Sequence, residues 1–120
     1  MRLQELLLWL RIATYIRHGS AAFTVQGSVQ DTTRLRNVRG IAVSGSKLYA
    51  AFHGYGYSSS YSTMYQSGLA IVSISSASSP SVQGVYQSYS YLHGAYDVEV
   101  DGSYAYVSAG SIGRFTVVQV

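Results

Sequence analysis

The chain matches itself at a fixed distance. VQGSVQ at 25–30 lies 57 positions before VQGVYQ at 82–87. The same spacing sets RGIAVSGS (39–46) on YDVEVDGS (96–103) and LYA (48–50) on AYV (105–107). A self-match of this length constrains the fold more than local propensity does, because each copy must build the same unit and bury the same face. A second spacing follows: LAIVSI at 69–74 matches FTVVQV at 115–120, 46 positions on. The difference between 57 and 46 is an insertion of 11 residues in the first copy, between Phe52 and Gly68.

The basic unit is therefore near 46 residues, and propeller blades run to about 40–50. Each unit reads as four short strands, near 38–44, 47–53, 69–74 and 82–87, rich in the β-branched and aromatic residues that strands favour. Ser44-Gly45 and Asp101-Gly102 fall between the first and second strands, where residues tolerant of positive φ close a tight hairpin. Pro80, the single proline, sits in the Ser-rich connector before the fourth strand, where no ladder donor is lost. No helical pattern is expected after residue 22.

The expected fold is all-β, a partial β-propeller of about two four-stranded antiparallel blades. Residues 23–120 hold the repeats, with a full blade at 38–87 and three strands of the next at 96–120. Residues 23–30 read as the outer strand of a preceding blade. Residues 1–22 are an N-terminal segment, a short helix or a degenerate strand. The apolar run Leu6–Leu10 stops at Arg11, too short for a signal core of about 7–15 residues and far short of a membrane span.

Apolar residues make up 48% and charged residues 11% of the chain, a balance opposite to that of disordered chains. The net charge of +3 is uneven: residues 1–40 hold Arg2, Arg11, Arg17, Arg34, Arg36 and Arg39 against only Glu5 and Asp31, while Lys47 and Arg114 stand alone in the rest. No concentrated basic face forms, so nucleic acid is not an expected partner. With no cysteine in the sequence, disulfides, thiolate zinc sites and cysteine nucleophiles are excluded.

The third strand and its connector, LAIVS (69–73) and ISSASSP (74–80), resemble the LVIVD-repeat family, as does VEVDGSYAYV (98–107) and, more weakly, IAVSGSKLYA (41–50). The resemblance covers about 38–120. Ser73, Ser76 and Ala77 depart from the family's Asp, Asn and Pro, which bears on the turn after the third strand. The resemblance implies a propeller-like fold and a cell-surface or secreted setting. It implies no established catalytic residues and no cofactor.

In an antiparallel blade, the connection from strand two to three lies at the same end as the connection to the next blade. Three segments are thus expected on one face: 31–37, 53–67 and 88–95. They carry Tyr55, Tyr57, Tyr61, Tyr65, Tyr89 and Tyr91, with His53, His93, Arg34 and Arg36. Tyr supplies area with few rotors and Ser and Gly supply adaptable contacts, the vocabulary of binding loops. Arg34 or Arg36 adds a possible anionic contact. Against this stands a low-complexity surface loop with no ligand.

Other motifs are explained more simply. GIAVSGSK (40–47) has Ser before Lys, the reverse of a phosphate loop, and its second copy has no Lys. Asp97, Glu99 and Asp101 alternate along one strand and so share a side, as a Ca²⁺ site needs, but the first copy has Gly40, Ala42 and Ser44 there. Asp101 reads as a turn residue, and no metal is expected. The three histidines lack ligand spacing, and no G-x-S-x-G elbow is present.

Two blades do not close a ring of about 4–8. The expected function is a non-enzymatic module for binding a protein or glycan, part of a longer cell-surface or secreted protein. Its blades would be covered by further blades or by self-association. The alternatives are a fragment of a propeller enzyme with its catalytic groups in other blades, and a purely structural repeat.

Overall fold

The structure is a computed structural model that describes residues 22–54 and 67–120. Its strands are β1 (Val38–Ser44), β2 (Lys47–Phe52), β3 (Gly68–Ser73), β4 (Ser81–Gln87), β5 (Ala95–Asp101), β6 (Tyr104–Ala109) and β7 (Arg114–Gln119). One helical turn, α1 (Tyr89–Leu92), precedes β5, and a 3-10 turn spans Gly110–Ile112. The strands form two open antiparallel sheets, β1-β2-β3-β4 and β5-β6-β7. The protein is all-β in class, as the strand pattern predicts.

Strand pairing follows the two sequence spacings residue for residue. Ile41 pairs with Ala50 and Ser44 with Lys47 in the first hairpin. Val98 pairs with Val107 and Asp101 with Tyr104 in the second, each residue 57 positions on. The irregularity between Val38 and Gly40 recurs between Ala95 and Asp97. Tyr49 pairs with Ile71 and Tyr106 with Val117, where the spacing is 57 on one strand and 46 on the other. Backbone bonds outside the ladders repeat as well. His53 N–H donates to Asn37 O and Gly110 N–H to Gly94 O, both at 3.1 Å. Ile74 N–H donates to Ser46 O and Val120 N–H to Ser103 O, both at 2.8 Å.

Both hairpins turn on a Gly-Ser pair. Gly45 (φ 58) and Gly102 (φ 56) occupy the first turn position with positive φ, where a type II′ turn wants glycine. Ser44 and Asp101 instead end their strands.

The sheets stack face to face. Tyr49, Ala51 and Leu69 of the first sheet bury against Ala95, Val98, Ala105 and Val107 of the second, with Leu92 of α1. Each fully buried large side chain here contributes about 1.5–3 kcal/mol. Gly40 marks the closest approach: a Cβ there would lie 2.7 Å from Asp97 Cα and 2.8 Å from Tyr96 O. The other face of the first sheet carries a smaller cluster of Ala50, Phe52 and Ala70, on which Leu35, Leu48 and Val85 pack.

Three expectations are corrected. Residues 23–30 are not a strand: 22–30 have no regular secondary structure, and Phe23 and Val25 point to solvent. The reason is that a strand needs a ladder partner, and the segment is bonded into neither sheet. Residues 89–92 are a helical turn rather than plain loop. Four residues are too few for helical periodicity to show, but Ser88 caps the turn, its side chain accepting from Tyr91 N–H at 3.1 Å. Residues 110–112 likewise close a 3-10 turn, released by Gly113 at φ 60. Residues 1–21, with the expected helix or degenerate strand, lie outside the described residues.

Candidate functional site

The described parts of the three connections, 31–37, 53–54 with 67, and 88–95, meet at one end of the sheets, and short-range chemistry holds them there. Asn37 begins β1 with a left-handed backbone, φ 55. Its carbonyl accepts from His53 N–H, and its side-chain amide donates to His53 O at 3.4 Å. The first and second connections are joined through this pair. The second and third are joined through Ser67, which is almost wholly buried. Its Oγ accepts from Gly54 N–H at 3.2 Å and from Gly94 N–H at 3.0 Å, and its carbonyl accepts from Ser88 N–H at 3.2 Å.

On this framework His53 and His93 sit edge to face, ring centroids 6.2 Å apart, and Tyr89 tilts over His93 at 4.6 Å. Partial burial lowers the pKa of His53, and the charges of His93 and Arg39 lower it further. Burial disfavours the imidazolium, and so does a neighbouring cation. His53 is therefore held toward its neutral form, with one ring nitrogen donating and one accepting.

Tyr91 does not join the histidine pair. Its ring lies under the Arg114 guanidinium, 5.4 Å from carbon to centroid, a cation–π contact. Its carbonyl accepts from Thr116 Oγ1 at 2.6 Å. Tyr89 and Tyr91 are both about half exposed. Arg34 pairs with the Asp31 carboxylate of its own turn, so its charge is partly neutralised. That carboxylate also accepts from Thr33 and Arg34 N–H. The Arg34 amide, first, and then the guanidinium hold Asp31 below the usual carboxylate range. Arg36 lines a shallow depression with Gln30, Asp31 and Thr33. Tyr55, Tyr57, Tyr61 and Tyr65 lie outside the described residues.

Sequence reasoning missed Ser67 and Arg114. One more serine before a strand carries no signal in a serine-rich loop. Arg114 reads as an isolated charge until the fold brings it over the Tyr91 ring. Asp97, Glu99 and Asp101 are exposed on one side of β5, and Asp97 Oδ1 accepts from Val98 N–H. Among the described residues no group of three His, Asp or Glu side chains could hold a metal ion. No family model, no curated protein and no solved structure matches the chain.

Proposed function

We propose that the chain is a non-enzymatic repeat module of the β-propeller type, with blades like those of LVIVD repeats. It binds a protein or glycan partner through the end of the sheets where the three connections meet. The two sheets serve as successive blades, and the setting is the cell surface or the medium outside the cell. The observation that carries this reading is the convergence of His53, His93 and half-exposed Tyr89 on backbone tied by Asn37 and Ser67, with the Tyr91–Arg114 pair beside it on the same helical turn. Aromatic faces held on a rigid frame present contact area at low entropic cost. A neutral histidine and the tyrosine hydroxyls add the hydrogen bonds that a sugar or a polypeptide backbone takes.

The test uses the full chain on an immobilised panel of neutral and acidic oligosaccharides, and on intact bacterial cell surfaces. Two variants are compared with the parent: Tyr89→Ser with Tyr91→Ser, and Tyr55, Tyr57, Tyr61 and Tyr65 all replaced by Ser. The reading expects retention by the parent and loss in at least the first variant. Equal retention of parent and both variants, or none for the parent, removes it.

A further inference from the structure

The two copies of the unit differ at positions where the fold does not require a particular side chain. His53 N–H donates to the Asn37 carbonyl, and Gly110, 57 positions on, makes the same bond to the Gly94 carbonyl with no side chain at all. His93 stands where the first copy has Arg36, and Tyr89 where it has Thr32. The same backbone therefore forms without either imidazole and without the tyrosine. Yet the three rings meet across the joint between the sheets, His53 from just past β2 and His93 from just before β5.

The charge of this joint is set by pH. Connections 53–67 and 88–95 contain no Asp, Glu, Lys or Arg, so His53 and His93 are the groups in them that change charge between about pH 5 and 8. The charges of His93 and of Arg39 on β1 both oppose one on His53. The other fixed charges at this end are Arg36, Arg114, the Asp31–Arg34 pair and Asp97, whose Oδ1 accepts from Val98 N–H. Where cations oppose one another, an added anion relieves the repulsion and draws a proton with it. Tyr89 indicates the shape of that anion. Its ring tilts over His93 at 4.6 Å and is 47% exposed, a rigid apolar face beside the imidazole. A pyranose lays its C–H face on such a ring while a carboxylate on the same sugar reaches the imidazolium. A peptide carboxylate on flexible methylenes brings no second rigid face and loses more freedom on binding.

We infer that the joint of His53, His93 and Tyr89 is the seat of an acidic sugar, a pyranose that bears a carboxylate. The sugar stacks on Tyr89, and its carboxylate accepts a hydrogen bond from the protonated histidine pair. Binding takes up to one proton from solvent, held by the pair as a unit. Affinity therefore rises as pH falls. This rests on the binding reading above and names the ligand class of that face.

Calorimetry of the full chain tests this with three probes: a tetramer of galacturonic acid, the neutral tetramer of galactose, and tetraglutamate. The acidic sugar stays ionised at about pH 7.5 and at about pH 5.5, so a change in its affinity comes from the protein. Its dissociation constant is expected to fall about tenfold from the higher pH to the lower, and that of the neutral sugar to change less than about twofold. Tetraglutamate is expected to bind at least about tenfold more weakly than the acidic sugar at the lower pH. The double variant His53→Gln with His93→Gln removes the titration and is expected to keep the parent's high-pH affinity at both values. His93→Arg places there the residue that the first copy carries, a permanent cation. It is expected to hold the acidic sugar at the higher pH about as tightly as the parent does at the lower. Equal affinity of the parent for acidic and neutral sugars, or a preference for tetraglutamate, overturns the inference and leaves the binding reading standing. A folded double variant that keeps the pH dependence overturns it too. Where the double variant does not fold, His93→Arg decides, and an affinity that still rises with acid overturns the inference. A parent that binds none of the probes overturns it as well, and if the oligosaccharide panel and the cell surfaces also retain nothing, the binding reading falls with it.

Discussion

Asn37 and Gly94, 57 residues apart, hold the same left-handed backbone at the head of β1 and β5, with φ of 55 and 73. Each accepts one backbone bond from the residue that follows the second strand, His53 and Gly110. The two copies differ in how much room is left. Asn37 keeps its side chain part-buried and bonds it to His53 O. A Cβ on Gly94 would lie 2.0 Å from Ser111 Oγ and 2.5 Å from Ser111 Cβ.

Gly94→Ala is therefore expected to lower stability by about 2 kcal/mol or more, from left-handed strain plus the clash with Ser111. Asn37→Gly removes one long hydrogen bond and relieves strain, and is expected to stay within about 0.5 kcal/mol of the parent. Urea unfolding midpoints at constant slope measure both.

Ser67→Ala leaves two buried amides, Gly54 N–H and Gly94 N–H, without their acceptor. The expected loss is about 2 kcal/mol, since each buried donor left unpaired costs about 1–3 kcal/mol less whatever water can reach it. Ser67→Thr keeps the acceptor and is expected to lose less. Amide exchange at Gly54 and Gly94 should accelerate in the alanine variant, well before exchange in the middle of β2 and β6.

His53 titrates below its ordinary value of 6.5. A depressed histidine pKa means that the unfolded chain binds the proton more readily. Its contribution to stability is therefore complete above the ordinary value and is lost as pH falls through the folded one. NMR titration should find His53 below His93→Gln-variant His53, because removing His93 removes one of the opposing charges. The variant's His53 should still fall short of 6.5, because burial, the larger cause, remains. An unchanged His53 would separate the two rings in solution.

Much of the framework was legible because a repeat is a statement about contacts. One spacing, read from Val25 and Val82, carries the hairpin registers, the paired bulges and the glycine turns. It also carries the turns that precede the first strands, where the residue types differ between the copies. Asp31 and Ser88 are 57 apart, and each caps a turn by accepting from the amide three residues on. Leu35 and Leu92, four residues beyond the caps, both turn their side chains to apolar clusters. Asp and Ser look unlike each other, but an N-cap needs only a short side-chain oxygen, so the shared role is hidden by differing residues. Residues 23–30 failed in the opposite way. Their strand-like sequence is plain, but a strand exists only with a neighbour, and sequence does not say whether the neighbour is there. For the candidate site, the antiparallel strand count placed the connections that carry His53, Tyr89 and His93 at one end, where the three rings meet. The pairing of Arg114 with Tyr91 came only from the path of β7 beside α1.

The stacking of the two sheets is the claim on which the rest depends, and Gly40 tests it most directly. Gly40→Ala would drive a methyl into the backbone of Tyr96 and Asp97, whereas Gly84→Ala, in β4 of the same sheet, enters open space. Measured by urea unfolding, Gly40→Ala is expected to lose about 1–3 kcal/mol, and Gly84→Ala to be neutral or to gain up to about 1 kcal/mol. Two variants with the same small gain would contradict the account, because β1 would then not lie against β5.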